Sequence, residues 1–307
     1  MNVKRKSKLD VVIRILLIAL VAVLVVFAVK VVSAAKTAPV AADAAATEDK
    51  SVIGEFQAGT YGGIKMDTAE DAVKYYVEAY NKTKAETAEF NTPEGKQTWS
   101  AFIGDEDLKI NSVIIDRNEN KTINSMVPGI VGGIFHSGTS ALPPTAGKVQ
   151  KDDVDEKGNS LVTSSLTADD VLAVVVEDNG DGTITMKIQP KMAEMSHKGQ
   201  DSQGRFFNTL GGIDSVVNSI KPLSWSEGTT ADNCKVYYKN GTGVVKIDTK
   251  TGMIVEADYD MEVTVDVSHA NVAVLHDKSA VVSITYKNHF PASDEYLAKH
   301  GEISRVK

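Results

Sequence analysis

An apolar run near the N-terminus constrains this chain more than any other feature. Residues 11–29, VVIRILLIALVAVLVVFAV, contain a single charged side chain, that of Arg14. At about 1.5 Å per residue, a helix of this length spans roughly 28 Å, close to the thickness of a bilayer's hydrocarbon core. Arg14 lies one turn inside the run, from where its long side chain reaches the headgroups. The sequence therefore predicts a transmembrane anchor over residues 11–32.

Basic side chains before this run predict its orientation. They are Lys4, Arg5, Lys6 and Lys8. Because positively charged flanks stay in the cytoplasm, residues 1–10 form a predicted cytoplasmic tail, and the chain beyond the span lies outside. We therefore expect a single-pass protein of the cell membrane. The alternative is a secretory signal cleaved after Ala34, and both interpretations export the rest of the chain.

The two sides of the predicted span differ in charge. The first 30 residues hold six of the 33 basic residues and one of the 41 acidic residues, so residues 31–307 carry a net charge of −13. An acidic surface repels phosphate groups, which argues against a nucleic-acid partner. The single cysteine, Cys234, excludes an intramolecular disulfide and a Cys-based zinc or iron–sulfur site. Its place just before a predicted strand indicates a buried, inert thiol.

An Ala-rich stretch separates the predicted anchor from the rest of the chain. Residues 33–50, SAAKTAPVAADAAATEDK, show no apolar periodicity and predict a flexible tether. A helical stalk is the alternative, because Ala is the best helix former, but Pro39 argues against it. Residues 51–307 then form the extracytoplasmic domain.

Three segments of this domain have the spacing of helices. Apolar residues recur at three- and four-residue steps over residues 67–82, where Asp67 and Glu70 resemble a capping box. The same spacing occurs over 119–135 and 203–220, but glycines interrupt both segments. Such helices either bend over a sheet as a lid above an apolar cavity or plug its core.

Strands dominate the rest of the domain. They are predicted over residues 108–116, 171–177, 183–189, 234–239, 243–248, 255–267, 271–275 and 280–287. Turn-forming residues predict hairpins across 178–182 and 239–242 and a turn at 276–278. Residues 136–160 are a polar connection, and the polar tail from Phe290 ends in a short terminal turn at 293–299.

The strand over 255–267 is the most informative of these. One face carries Val255, Ala257, Tyr259, Met261, Val263, Val265 and Val267. The other face carries Glu256, Asp258, Asp260, Glu262, Thr264 and Asp266. Unbroken two-residue periodicity predicts a long antiparallel strand with one packed and one wet face. The fold class is therefore α+β: a transmembrane helix, then a curved antiparallel sheet with two or three helical segments packed on one face.

The sequence contains no catalytic or nucleotide-binding signature. The six histidines are scattered, although His269 and His276 could meet across a hairpin. The segment from Glu177 to Gly182 overlaps half of a calcium loop, but Ile188 stands where that loop needs a bidentate Glu, so a hairpin turn is favoured. We expect no enzyme, no metal and no cofactor.

The carboxylates of the wet face have two interpretations. Acidic side chains about 7 Å apart along a strand are able to hold hard cations or to act as acids and bases. A solvated face is favoured, with Lys246, Lys278 or Lys287 on neighbouring strands as partners.

Several stretches resemble known proteins. TAEDAVKYYVEAYNKTK, LTADDVLAVVVEDNGDGTITMKI and VKIDTKTGMIVEADYDMEVTVDV resemble a group of uncharacterised, membrane-anchored exported proteins of Gram-positive bacteria. The pattern V-K-I-D-x-x-T-G-x-I before a long strand is distantly similar to LolA/LppX-like lipoprotein carriers. That resemblance implies a curved sheet, plugged by helices, that binds acyl chains. The chain lacks a lipobox cysteine and has fewer strands, so a TULIP-like or a cystatin/NTF2-like arrangement remains open.

The resulting hypothesis is a membrane-anchored domain that binds a lipid or another apolar ligand between sheet and helices. The residues expected to line the cavity are Val127, Ile130, Ile134, Phe206, Leu210 and Ile213. The alternative is a non-catalytic interaction or structural module of the cell envelope, with a packed core and an acidic face that contacts a partner.

Overall fold

A computed structural model describes residues 50–116, 118–119, 163–197, 199–207, 223–272, 275–299 and 302–306. The predicted anchor, the tether before Lys50 and the connection 136–160 lie outside these residues, as does nearly all of 119–135. None of the helices within the described ranges is long and apolar enough to cross a membrane.

Strands make up most of the described chain, and helices are few. The strands are β1 Gly59–Tyr61, β2 Ile64–Met66, β3 Thr87–Thr92, β4 Gly95–Ser100, β5 Asp105–Ile115, β6 Asn118–Glu119, β7 Val171–Asp178, β8 Thr183–Pro190, β9 Ala193–Glu194, β10 Leu223–Trp225, β11 Cys234–Tyr238, β12 Thr242–Asp248, β13 Met253–Val272, β14 Leu275–Phe290 and β15 Ser304–Arg305. The helices are α1 Ala69–Ala85, α2 Ser202–Phe207, α3 Thr230–Asn233 and α4 Asp294–Lys299.

Ten of these strands form one antiparallel main sheet, which confirms the predicted sheet type. Its order is β6-β5-β14-β13-β12-β8-β7. β10 and β11 pair with β13 along the edge that β12 also uses, and β9 pairs with β11. The main sheet has a dry face, which carries the buried side chains that alternate along β13 from Ala257 to Val267, and an opposite open face.

The hairpin predicted across residues 178–182 is confirmed. β7 and β8 pair antiparallel, and Asn179 N–H donates to the Thr183 carbonyl at 3.1 Å. Asp178 Oδ1 accepts from Gly180 N–H at 2.8 Å, and Asp181 Oδ1 accepts from Thr183 N–H at 3.0 Å. These carboxylates therefore shape the turn, as the hairpin interpretation expected.

The hairpin predicted between residues 234–239 and 243–248 is wrong. β11 and β12 do not pair with each other, since both pair with β13, Tyr238 opposite Val263 and Thr242 opposite Asp260. The chain between them bends at Asn240, whose φ is +61°. At Gly241 a Cβ would lie 2.9 Å from the Phe207 ring, so the close approach of this ring favours glycine here. The turn-forming residues therefore separate two strands that run in the same direction along one edge of β13, and the chain does not reverse.

A β-bulge changes the predicted face of Val255. Ile254 pairs with Ile247 and Glu256 pairs with Lys246, which leaves Val255 as the extra residue. Val255 is consequently 44% exposed, whereas Ile254 is 2% exposed. The predicted alternation holds from Ala257 onwards, where the packed positions are buried.

The turn predicted at residues 276–278 is also wrong. Val272 pairs with Leu275 and Ala270 pairs with Lys278, so residues 276–278 lie within the paired strand β14. His269 and Asp277 both have φ of +52°, and the register shifts beside them. Residues 276–278 therefore lie at an irregularity within the paired strands and do not form the hairpin turn.

Helix α1 covers part of the dry face. Its N-cap is Thr68, whose hydroxyl accepts from Asp71 N–H at 3.2 Å while the Asp71 carboxylate accepts from Thr68 N–H at 2.9 Å. The capping box is thus shifted by one residue from the predicted Asp67 and Glu70. The helix packs against β13 and β7 with Tyr76 and other apolar side chains.

A second, smaller core joins the two ends of the domain. The sheet β15-β3-β4, which sequence periodicity missed, packs around Phe90, Ile103, Leu297 and Ile303. Helix α4 confirms the predicted terminal turn. The C-terminal tail is therefore not merely polar, because its few apolar residues complete this core.

Candidate functional site

The long strand β13 extends well past the helix that covers its start. Hydrogen bonds from α1 reach β13 at Ile254, whose N–H donates to Thr83 Oγ1 at 2.8 Å, and at Tyr259, whose hydroxyl lies 3.0 Å from the Tyr76 hydroxyl. From Asp260 to Val272 the strand continues for about 40 Å.

We call the part of the dry face from Val263 to Val267, with its cross-strand neighbours, the far strip. It consists of Val263, Val265 and Val267 on β13, Ala280, Val282 and Ile284 on β14, and Cys234, Val236 and Tyr238 on β11. Each of these residues is at most 8% exposed. All are small or β-branched except Tyr238, so their surface is largely apolar. Cys234 is buried here, as its position before a strand predicted.

The part of the dry face under α1 is filled by large side chains instead. The Phe206 ring lies 5.7 Å from both Tyr76 and Tyr259 and 4.7 Å from Phe207 between ring centroids. A Cβ at Gly243 would lie 2.6 Å from Phe206 Cζ, so this glycine makes room for the ring. Phe206 is 2% exposed, and this part of the core is closely packed.

The structure describes only one of the residues that were expected to line the cavity. Phe206 lies in the packed aromatic core just described. The other five, Val127, Ile130, Ile134, Leu210 and Ile213, lie outside the described residues. The described part of the predicted helix 203–220 is α2, and it ends at Phe207.

The buried tyrosines of this core do not serve as acids or bases at ordinary pH. Burial raises the pKa of Tyr76 well above its usual value, and burial likewise raises the pKa of Tyr259. Their hydroxyls are therefore neutral hydrogen-bonding groups. The pair satisfies two polar atoms inside an otherwise apolar interface.

The open face carries the predicted acidic row. Lys287 pairs with Asp260 at 2.8 Å and lies opposite Asp107 on β5. His289 Nδ1 lies 2.7 Å from Asp258 Oδ1. The pKa of Lys287 is raised, first by its hydrogen bond to Asp260 and then by the charges of that and nearby carboxylates.

Of the three lysines predicted as partners of this row, only Lys287 pairs with it. Lys246 pairs with Asp181 at 3.3 Å, and Lys278 pairs with Asp116 at 2.5 Å. Within the described residues, no group of three or more His, Cys, Asp or Glu side chains could hold a metal ion. The favoured solvated-face interpretation accounts for these contacts.

A polar cluster lies near the closed end of the β13–β14 hairpin. His269 Nδ1 lies 2.8 Å from Asp277 Oδ1, and Ser226 Oγ donates to the same oxygen at 2.7 Å. The predicted meeting of His269 with His276 is thus replaced by a contact with Asp277. Because hydroxyl and imidazole share one carboxylate oxygen, the serine is not activated by the histidine as in a hydrolase. The cluster ties β10 to the hairpin.

This cluster predicts a pH-dependent contribution to stability. The pKa of Asp277 is lowered, first by the Ser226 hydroxyl and then by His269. A carboxyl whose folded pKa lies below its unfolded value stabilises the fold above the unfolded pKa, and that stabilisation is lost as pH falls through the folded pKa. We expect Asp277→Asn to lower the melting temperature near neutral pH, and we expect this difference to shrink as pH falls below about 4, through the lowered folded-state pKa of Asp277.

Asp169→Asn is the matched control, because Asp169 is an exposed carboxyl outside the cluster. The melting temperatures of the parent and both variants are compared at a series of pH values from acid to neutral. A pH profile of Asp277→Asn that coincides with that of Asp169→Asn would contradict the assignment.

The chain matches no family model, no curated protein and no solved structure. Its function is therefore argued from its own residues.

Proposed function

We propose that this chain is a membrane-anchored protein whose extracytoplasmic domain binds a lipid or another apolar ligand. In this proposal residues 11–32 anchor the chain with its N-terminus in the cytoplasm, and residues 33–50 tether the domain outside. The ligand lies against the far strip of the main sheet. The resemblance to LolA/LppX-like carriers that the sequence predicts implies the same class of ligand.

The extent of the far strip carries the proposal. It continues the dry face beyond Tyr259, past the positions at which α1 and α2 contact β13. Each residue of the far strip is at most 8% exposed, so the strip is shielded from water, and a ligand bound against it would lie in an apolar interior. Of the segments expected from the sequence to face the ligand, 123–135 and 208–220 lie outside the described residues, and Phe206 and Phe207 belong to the packed aromatic core.

The chemistry of the far strip suits an acyl chain better than a polar ligand. Valines dominate it, and its cross-strand neighbours Val236, Val265 and Val282 lie side by side in register. Such a surface offers dispersion contacts and no directional hydrogen bonds. We further propose that the domain is not an enzyme, since its buried tyrosines are neutral and its serine–histidine–aspartate cluster lacks the order needed for nucleophilic attack.

The proposal predicts a bound or bindable apolar molecule. A fragment from Thr47 to Lys307 is purified without detergent, its organic extract is examined by mass spectrometry, and a fluorescent fatty acid is titrated into it. We expect a co-purified lipid or saturable binding of the probe. The variant Val263→Thr with Val265→Thr keeps side-chain shape but buries two hydroxyls, so the probe should bind at least about tenfold more weakly.

Thr264→Val is the control, because Thr264 lies between these valines and points to the open face. Its probe affinity should equal that of the parent. An empty extract together with no saturable probe binding would rule the ligand out.

A second candidate function is a non-catalytic interaction module of the cell envelope. The open face of β5, β14 and β13 favours it, because Asp107, Lys287, Asp258 and His289 stand exposed there. Such a module needs no ligand. An empty extract without probe binding would therefore contradict the ligand-binding function and would be compatible with the interaction module.

A further inference from the structure

Gln203 is a polar side chain buried inside the domain. It lies in helix α2 and is 0% exposed. Its Nε2 donates to the Lys191 carbonyl at 2.9 Å, and because a carbonyl only accepts, this bond identifies the other amide atom as the oxygen Oε1. Among the residues that the structure describes, none donates to this oxygen. A buried acceptor without a donor is costly, since it has lost its hydration and gained no bond in return.

Helix α2 lies near the end of the far strip that carries Tyr238. Phe207 follows Gln203 by one turn on the same side of the helix, and its ring lies 2.9 Å from the position of a Cβ at Gly241, just beyond Tyr238. Asp201, just before the helix, is close enough for its charge to act on the Tyr238 hydroxyl. The residues on either side of Gln203 in the sequence therefore both approach the end of β11.

The polar groups at this end of the far strip favour an uncharged donor. Burial, and after it the charge of Asp201, raises the pKa of the Tyr238 hydroxyl above its usual value. The Asp201 carboxylate is held by the Ser196 hydroxyl at 2.6 Å and by the Gly204 N–H at 2.9 Å. A carboxylate or phosphate group would meet this negative charge and an oxygen that only accepts, whereas a hydroxyl group donates to Oε1 without adding charge.

We infer that Gln203 Oε1 binds the polar end of the apolar ligand, and that this end carries an uncharged hydrogen-bond donor, a hydroxyl group. The inference rests on the proposed function, because it takes the ligand's chain to lie against the far strip. The hydroxyl group then lies at α2, and the chain extends from Tyr238 toward Val267. The ligand class is a long-chain lipid with a free hydroxyl group, and a fatty-acid anion should bind less tightly.

Photolabelling of the full-length protein in phosphatidylcholine vesicles tests this inference. The probes are dodecanol and dodecyl methyl ether, each with a diazirine in the chain, and mass spectrometry measures the labelled fraction of residues 234–267. The ether keeps the chain but lacks the donor. For each protein, the concentration of ether that gives half-maximal labelling is divided by that of the alcohol.

Gln203→Met removes the oxygen and keeps the length of the side chain. We expect the ether-to-alcohol ratio to be about tenfold higher in the parent than in this variant, because only the alcohol pairs with Oε1. Partitioning of the probes into the vesicles is the same for both proteins and cancels in this comparison. Gln203→Leu, a second variant without the oxygen, should give the same ratio as Gln203→Met.

Ser202→Ala is the matched control. Ser202 Oγ donates to the same Lys191 carbonyl at 2.7 Å, so this change removes one bond of that carbonyl and leaves Oε1 in place. Its ratio should equal that of the parent. Equal ratios in the parent, Gln203→Met and Gln203→Leu would overturn the inference, although saturable labelling by both probes would still support an apolar ligand. Labelling by neither probe would contradict the proposed function as well.

Discussion

Replacing Phe206 by Ala is expected to lower the free energy of unfolding by about 3–5 kcal/mol. The ring is buried between Tyr76, Tyr259 and Phe207 and rests against the bare backbone of Gly243. Truncation removes its apolar contacts and leaves a cavity that these neighbours cannot easily fill. The loss arises from packing, so it should appear in protein stripped of lipid.

Urea denaturation of the parent and the variant measures this difference. Val52→Ala is the control, because Val52 is largely exposed and its truncation should change stability by no more than about 0.5 kcal/mol. Phe206 was expected from sequence to line a ligand cavity. A loss below about 1 kcal/mol would favour that role over the packed position.

Replacing Val265 by Asp should be at least as damaging. Val265 lies on the dry face between Val236 on β11 and Val282 on β14. A carboxyl group there loses its hydration without gaining a partner, or takes up a proton and remains an unpaired polar group. We expect a loss of about 3 kcal/mol or more, with failure to accumulate as folded protein.

Thr264→Asp provides the matched control one residue away. Thr264 faces the open side, opposite Tyr237 and Ser283, where water reaches a new carboxylate. Its cost should be about 1 kcal/mol, mainly from lower strand propensity and repulsion by the neighbouring acidic side chains. Circular dichroism and urea denaturation measure the folded content and the free energy of unfolding of both variants. Equal damage from the two substitutions would contradict the assignment of dry and open faces.

Local periodicity predicted the elements that depend on their own residues. Helix α1 and the β7–β8 hairpin follow from apolar spacing and from the turn formers between Asp178 and Thr183. The alternation of β13 from Ala257 to Val267 likewise follows from its two-residue period, because consecutive side chains of a strand point to opposite faces. The antiparallel sheet type and the burial of Cys234 were predicted on the same grounds.

Pairing partners were not predictable in this way. Asn240 and Gly241 have the composition of a hairpin turn, yet β11 and β12 each find β13 as partner. Val255 continues the apolar alternation, but the bulge against β12 moves it to the surface. In both places the backbone hydrogen bonds are made with residues distant in sequence, so local pattern cannot show which edge the chain will use.

The same distinction between local pattern and long-range pairing applies to the candidate sites. The acidic row of the open face was predicted by residue, and its partner Lys287 was among those expected. The contact of Gln189 with the main chain of Lys50 and Val52 was missed, because these residues are distant in sequence and meet only in the folded chain. Similarly, His269 was predicted to meet a residue of β14, but the bulges select Asp277 over His276.

By itself, the sequence determined which residues have an apolar face and which strands are long, since these properties depend on spacing along the chain. It also predicts an anchor and an exported acidic domain. Only the tertiary structure decided that β10, β11 and β12 share one edge of β13, that Phe206 fills the core under α1, and that Gln189 bonds to the main chain of Lys50 and Val52. These contacts depend on the relative free energies of distant backbone pairings and on the shapes of the packed side chains.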